Sequence, residues 1–171
     1  MAREHVVEPL TAAGFAPFGD VVSAGLRAGA SANQGTAVRF DWAARLVNER
    51  PGARPNLSVF RSIARELPLA ITLLEKHPRS TQAFLPLVCR RILVVVAPTG
   101  RDGAPDLDGL RAFVALPGQG INYGVGVWHH PIVALDAPAE LAMLAWEDGS
   151  LEDCVEHPLG APITLLEPPI V

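Results

Sequence analysis

Sixteen prolines and fifteen glycines punctuate the 171 residues at short, fairly regular intervals. Such punctuation leaves little room for long helices. Between the breaks lie short runs of branched and apolar residues: LSVFRS (57–62), LAITLLEKH (69–77), RILVVVA (91–97), RAFVAL (111–116), YGVGVWHH (123–130), PIVAL (131–135) and ELAMLAW (140–146). Several alternate with the period of two expected of strands with one buried face. Helix signals are few. LTAAGF (10–15) reads as one turn capped by Thr11, and TAVRFDWAARLVN (36–48) as a loop with a helical part. Many short strands with turns between them predict a sandwich or barrel. With no repeat or linker, residues 1–171 read as one domain.

The charge balance narrows the partners. A formal charge of −4 and no basic run argue against nucleic acid or an anionic membrane. The opening MAREHVVEPL carries charges and a proline where a secretory signal would need an apolar core. The longest clean apolar run, Ile92 to Pro98, is too short to span a bilayer. Cys89 and Cys154 are too few for a disulfide framework and match no zinc spacing. A reduced, cytoplasmic protein is the expectation.

Chemistry-bearing residues gather around two prolines. In VWHHP, neighbours on a strand point to opposite faces, so the two imidazoles do different work. If Val125 and Val127 face inward, so does His129, while Trp128 and His130 take the other face. Upstream, LLEKHPRSTQAF places Glu75 and His77 two apart on one strand face, with Gln82 beyond a turn. Carboxylate, imidazole and amide oxygen are all capable ligands for a borderline divalent ion, and His129 could complete the set. A Glu–His pair is as readily a solvated strand face, and a strand-end histidine a satisfied core residue. The residues alone leave both readings open.

The spacing Gly118, Gly124, Gly126, His129 resembles the second motif of the cupin superfamily, and Glu75, His77 and Gln82 stand in the slots of the first. There a glutamate replaces the first histidine and a glutamine the acid. A narrower match covers most of the chain. PLTAAGFAPFGDVV, NQGTAVRF, LSVFR, LEKHPRSTQAFLPL, GQGINYGVGVWHHPIVAL and EDCVE occur in the order found in the ureidoglycolate lyase family. The resemblance implies a mainly β, cupin-type double-stranded β-helix (a jelly-roll barrel) with a few short helices, commonly a homodimer. It also implies cleavage of (S)-ureidoglycolate to glyoxylate and urea in allantoin breakdown, with nickel or a similar divalent metal as activator. Asp148 departs from the basic residue usual there, which reads as a peripheral change.

The implied reaction needs a hydroxyl proton removed and a proton delivered to the departing nitrogen, with no hydrolytic nucleophile. Glu75, His77 and His129 are the expected catalytic residues. His77, Gln82, His129 and Glu75 are the expected metal ligands. The substrate carboxylate wants a guanidinium fork. Arg61 could project from its strand end into the barrel mouth, with Arg39 the second candidate. The resemblance adds Asn33 and Gln34 on the loop-like segment 23–36, and Gln82, Asn122 and Tyr123, as partners of the substrate. Trp42, Trp128, Phe84 and the 91–97 strand read as core or dimer interface, and Cys89 as a small buried apolar residue. Acids around Cys154 should raise its pKa and make it a poor nucleophile. Two other activities compete: hydrolysis of ureidoglycolate with release of ammonia, and a non-catalytic cupin that binds a small acid.

Overall fold

The computed structural model describes residues 3–169, so the first two and last two residues of the expected 1–171 domain lie outside the described residues. Sixteen strands, one α-helical turn and one 3-10 turn (Asn33–Gly35) follow one another. They are β1 (Arg3–Val6), β2 (Glu8–Pro9), α1 (Ala12–Phe15), β3 (Gly19–Val22), β4 (Ala30–Ala32), β5 (Ala37–Arg39), β6 (Arg54–Ser62), β7 (Ala64–Arg65) and β8 (Leu69–Lys76). There follow β9 (Gln82–Val88), β10 (Arg91–Ala97), β11 (Arg111–Ala115), β12 (Gly120–Tyr123), β13 (Trp128–His129), β14 (Val133–Leu135), β15 (Ala139–Glu147) and β16 (Val155–Leu166).

The larger sheet has the order β1-β16-β8-β13-β10-β11-β2, with β14 and β7 branching from β10. Its two ends are consecutive in the chain. β1 lies parallel to β16 and β2 parallel to β11, with only Val7 between them. The first strand segment therefore bridges both edges and nearly closes the sheet into a barrel, which hides edges that would otherwise invite association. The second sheet runs β3-β12-β9-β15-β6 and packs on the barrel wall. This mostly β, barrel-like architecture agrees with the cupin jelly-roll expectation.

β10 explains how one sheet serves two cores. Ile92, Val94 and Val96 face the second sheet and pack with Phe84, Phe113 and Tyr123. Leu93, Val95 and Ala97 face the opposite way, onto Leu69, Ile71, Trp128 and Leu165. A strand buried on both faces reads as a continuous apolar run, which RILVVVA is.

Some local expectations change. α1 forms as read, its Thr11 hydroxyl accepting from the Gly14 N–H at 3.1 Å. No helix forms in 36–48: that stretch supplies β5, turns and an isolated bridge from Asn48 to Ser80. Residues 123–130 are not one strand. β12 ends at Tyr123, a turn spans Gly124–Val127, and β13 begins in the other sheet. Gly126 holds φ +71°, a left-handed conformation open to glycine, and its N–H donates to the His77 carbonyl at 2.9 Å. Trp128 and Phe84 are core, but Trp42 is exposed at a φ of +57°, and Cys89 is half-buried against the inter-sheet core.

Candidate active site

Strand pairing brings the candidates together. β13 is held between β8 and β10, with His129 opposite Glu75 on one side and Val96 on the other. Directly opposed residues share a face, and Val96 faces the second sheet. His129 therefore points between the sheets, while Trp128 packs into the other core and donates its indole N–H to the Gly103 carbonyl. The inward face of His129 is thus set by β13 itself and not by the register of Val125 and Val127, which lie in the turn. Across the gap, β12 pairs with β9 so that Tyr123 stands opposite Gln82.

The rings stack in series. Tyr123 and His129 lie 4.0 Å apart between centroids and 11° from parallel, and His77 follows at 5.5 Å from His129. His129 is 1% exposed, and its Nδ1 donates to the Val127 carbonyl at 2.9 Å. Its Nε2 faces the Glu75 carboxylate at 3.6 Å. His77 Nδ1 donates to the Asp153 carbonyl at 2.5 Å. With its proton on Nδ1, His77 presents Nε2 as the lone pair. His77 Nε2, His129 Nε2, Gln82 Oε1 and the Tyr123 hydroxyl are all buried without a partner in the chain. Buried polar atoms of this kind are uncommon and mark a place built for another molecule or ion.

Electrostatics divides the roles. Burial raises the Glu75 carboxyl, but hydrogen bonding and charge from His129, with help from His77, outweigh it and hold the group below its ordinary value. Burial pushes His77 down, and the His129 charge adds to this against the pull of the Asp153 carbonyl, Glu75 and Gln82. Burial, then Glu75, pushes Tyr123 well above the usual phenol range, so its hydroxyl remains a donor. An ionised carboxylate, a neutral imidazole and a neutral phenol therefore stand together in one cluster at neutral pH.

Glu75, His77 and Cys154 place ligand atoms within 4.8 Å of one another, a trio that could hold a metal ion. Carboxylate, imidazole and sulfur together suit a borderline divalent cation, and the orphaned His77 Nε2 is a lone pair ready for one. Cys154 was not among the expected ligands. Its thiol approaches Glu75 Oε2 at 3.7 Å and is pushed up to about 12, by burial first and then by Glu75, Glu156 and Asp153.

Comparison with known proteins gives the family. Residues 3–166 match the family described as Ureidoglycolate lyase. The chain belongs to the ureidoglycolate lyase family. A protein named ureidoglycolate lyase from Burkholderia cepacia is 45% identical over 154 residues, covering 90% of this chain and 85% of that one. One of the same name from Pseudomonas savastanoi pv. phaseolicola is 39% identical over 155 residues, covering 91% and 89%. Another, from Burkholderia mallei (strain NCTC 10229), is 47% identical over 131 residues, covering 75% and 74%.

In this ureidoglycolate lyase family member, several expected substrate partners stand away from the cluster. Arg61 does not enter a barrel mouth. Its neighbour Phe60 turns inward onto Phe84, so alternation sends Arg61 to the outer face, where it pairs with Glu140 at 2.8 Å. Arg39 ends the β4–β5 hairpin and pairs with Asp41 at 2.9 Å, 69% exposed. Asn33 and Gln34 form that hairpin's tip at φ of +51° and +58°, exposed to solvent, so they do not cover the cluster. Asn122 is buried but donates to Asp20 and the Arg45 carbonyl. His130, half-buried, lines a groove with Arg65 and Ile132. Sequence reasoning missed Arg50 and Asp153; Asp148, read as a peripheral change, is exposed and accepts from the buried Arg50 at 2.9 Å.

Proposed function

We propose that this chain is a carbon–nitrogen lyase that cleaves (S)-ureidoglycolate to glyoxylate and urea. Agreement with the family over residues 3–166 carries the reading. His129 Nε2 takes the hydroxyl proton of the substrate. The carbonyl of glyoxylate forms as the C–N bond breaks, and its electron pair leaves on the urea nitrogen. The imidazolium returns the proton to that nitrogen, so the residues end as they began. Ionised Glu75, 3.6 Å away, stabilises the imidazolium while it exists. Neutral His77 accepts from the ureido N–H through Nε2, and the Tyr123 hydroxyl and Gln82 amide hold the carboxylate in place of the displaced arginines.

Where a divalent ion such as nickel is bound, Glu75, His77 and Cys154 would hold it, and His77 Nε2 would then meet the ion in place of the ureido N–H. Bound there, the ion would supply charge that lowers the hydroxyl pKa of the substrate. The outer face of the second sheet supports a homodimer: Leu57, Val59, Leu85 and Leu87 are exposed on the two strands that flank β15. Two free cysteines accord with a reduced, cytoplasmic setting, and purine-nitrogen catabolism is the metabolic context. The test is a urea and ammonia assay on purified protein given ureidoglycolate, after chelation and again with nickel added back. Urea with glyoxylate is expected; ammonia without urea, or binding without turnover, overturns the reading. Equal activity before and after nickel overturns the metal role alone.

A further inference from the structure

Among the described residues Arg50 is the one buried arginine, and one of its partners leads to His77. Its Nη1 donates to Asp148 Oδ1 at 2.9 Å and to the Ser150 hydroxyl at 3.2 Å. Its Nη2 donates to the Trp146 carbonyl at 2.8 Å and meets Asp153 Oδ1 at 2.6 Å. The Arg50 backbone is fixed as well, since its N–H donates to Asn48 Oδ1 and the Asn48 amide returns a bond to the Arg50 carbonyl. Asp153 then gathers the turn, accepting from the N–H groups of Asp148 and Gly149. Asp148 and Ser150 lie at the surface, but the guanidinium they meet is buried. A buried guanidinium between two carboxylates costs desolvation and is held by geometry.

Asp153 works at both ends. Its carboxylate belongs to Arg50, and its backbone carbonyl accepts from His77 Nδ1. That bond decides which ring nitrogen carries the proton, and so leaves the buried, unpartnered Nε2 as the lone pair. The next residue, Cys154, brings its thiol to Glu75. One side chain outside the cluster thus sets the turn on which two contacts of the cluster depend.

We propose that Arg50 is a positioning residue: through Asp153 it fixes the rotation and tautomer of His77, so that Nε2 faces the substrate. Its catalytic meaning rests on the lyase reading, whereas its effect on the tautomer does not. The experiment compares full-length wild type, Arg50→Gln and Arg50→Lys by 15N NMR of the histidine rings and by urea-release kinetics. Wild type should show His77 as the Nδ1–H form. Arg50→Gln should populate the Nε2–H form and lower kcat tenfold or more with KM within about threefold. Arg50→Lys, which keeps the charge without the fork, should recover part of both. If Arg50→Gln does not fold, Arg50→Lys and Asp153→Asn carry the comparison. Folded variants with reduced stability but an unchanged tautomer and kcat overturn the proposal. Absence of urea release from wild type refutes the lyase reading, and the NMR result still decides the role of Arg50.

Discussion

The Tyr123 ring lies flat on His129, 4.0 Å away and 11° from parallel, with its hydroxyl buried and unpartnered in the chain. Removing only that oxygen separates packing from chemistry. Tyr123→Phe keeps the stack and should leave thermal stability within ~0.5 kcal/mol, because no hydrogen bond within the chain is lost. Urea release should fall about 10- to 100-fold, as expected when one donor to a developing or bound charge is removed. A variant with full activity would show that the hydroxyl does not meet the substrate.

His129 and Glu75 oppose one another on β13 and β8, and Glu75 is held ionised largely against its burial by that imidazole. Groups that act as a unit give non-additive losses. His129→Gln and Glu75→Gln should each lower kcat on the order of 10²-fold or more. The double variant should lose little beyond the worse single one. Losses that multiply in the steady-state assay would show that the two act independently.

Burial holds His130 below its ordinary value of 6.5, despite the opposing Pro131 carbonyl and Glu75, and His77 is depressed in the same way. The folded chain therefore binds fewer protons than the unfolded chain as pH falls below 6.5. The stability present above that pH is lost as pH falls toward the folded values, at up to ~1.4 kcal/mol per pH unit for each group. Urea denaturation at pH 7.5 and 5.5 should show the loss, and His130→Gln should make it shallower. A midpoint that rises at pH 5.5 would contradict the sign.

How far the fold could be read from the chain depends on what interrupts each strand. β10 and β8 were legible because nothing breaks their apolar runs. β16 was not, since Pro158, Gly160 and Pro162 fall inside it; the chain absorbs them in a register shift between Pro158 and Ile163. At the site, Glu75, His77, Gln82 and His129 lie at strand ends next to turns, where local pattern is informative. Arg50 and Asp148 are 98 residues apart, and no local period connects them. Only the Asp-Gly-Ser turn signal beside two acids hinted that 148–153 is an ordered loop. Arg61 misled because its outward face depends on Phe60 finding Phe84, a tertiary contact.

Leu87 is 56% exposed on β9, beside Leu85 and across from β15 and β6, whose Val59 and Leu57 extend the apolar face. If two copies bury this face, a charge at its centre should separate them without touching either core. Leu87→Lys should sediment as a monomer while the wild type sediments as a dimer, with little change in far-ultraviolet circular dichroism. A wild-type chain that sediments as a monomer at all concentrations would remove the dimer.

Two glycines with positive φ should respond very differently to alanine. At Gly126, φ +71°, a Cβ would meet nothing within 4 Å, so the cost is backbone strain alone, about 1 kcal/mol. At Gly19, φ +146°, a Cβ would stand 1.9 Å from the Asn122 carbonyl oxygen, which belongs to the β12 backbone. Relief requires β3 to separate from β12, where Gly19 pairs with Tyr123. Gly19→Ala should therefore lose more than ~3 kcal/mol in chemical denaturation. Any folded fraction should also turn over ureidoglycolate more slowly, because the Tyr123 strand has moved. Equal losses at the two positions would show that β3 is free to shift without disturbing the stack on His129.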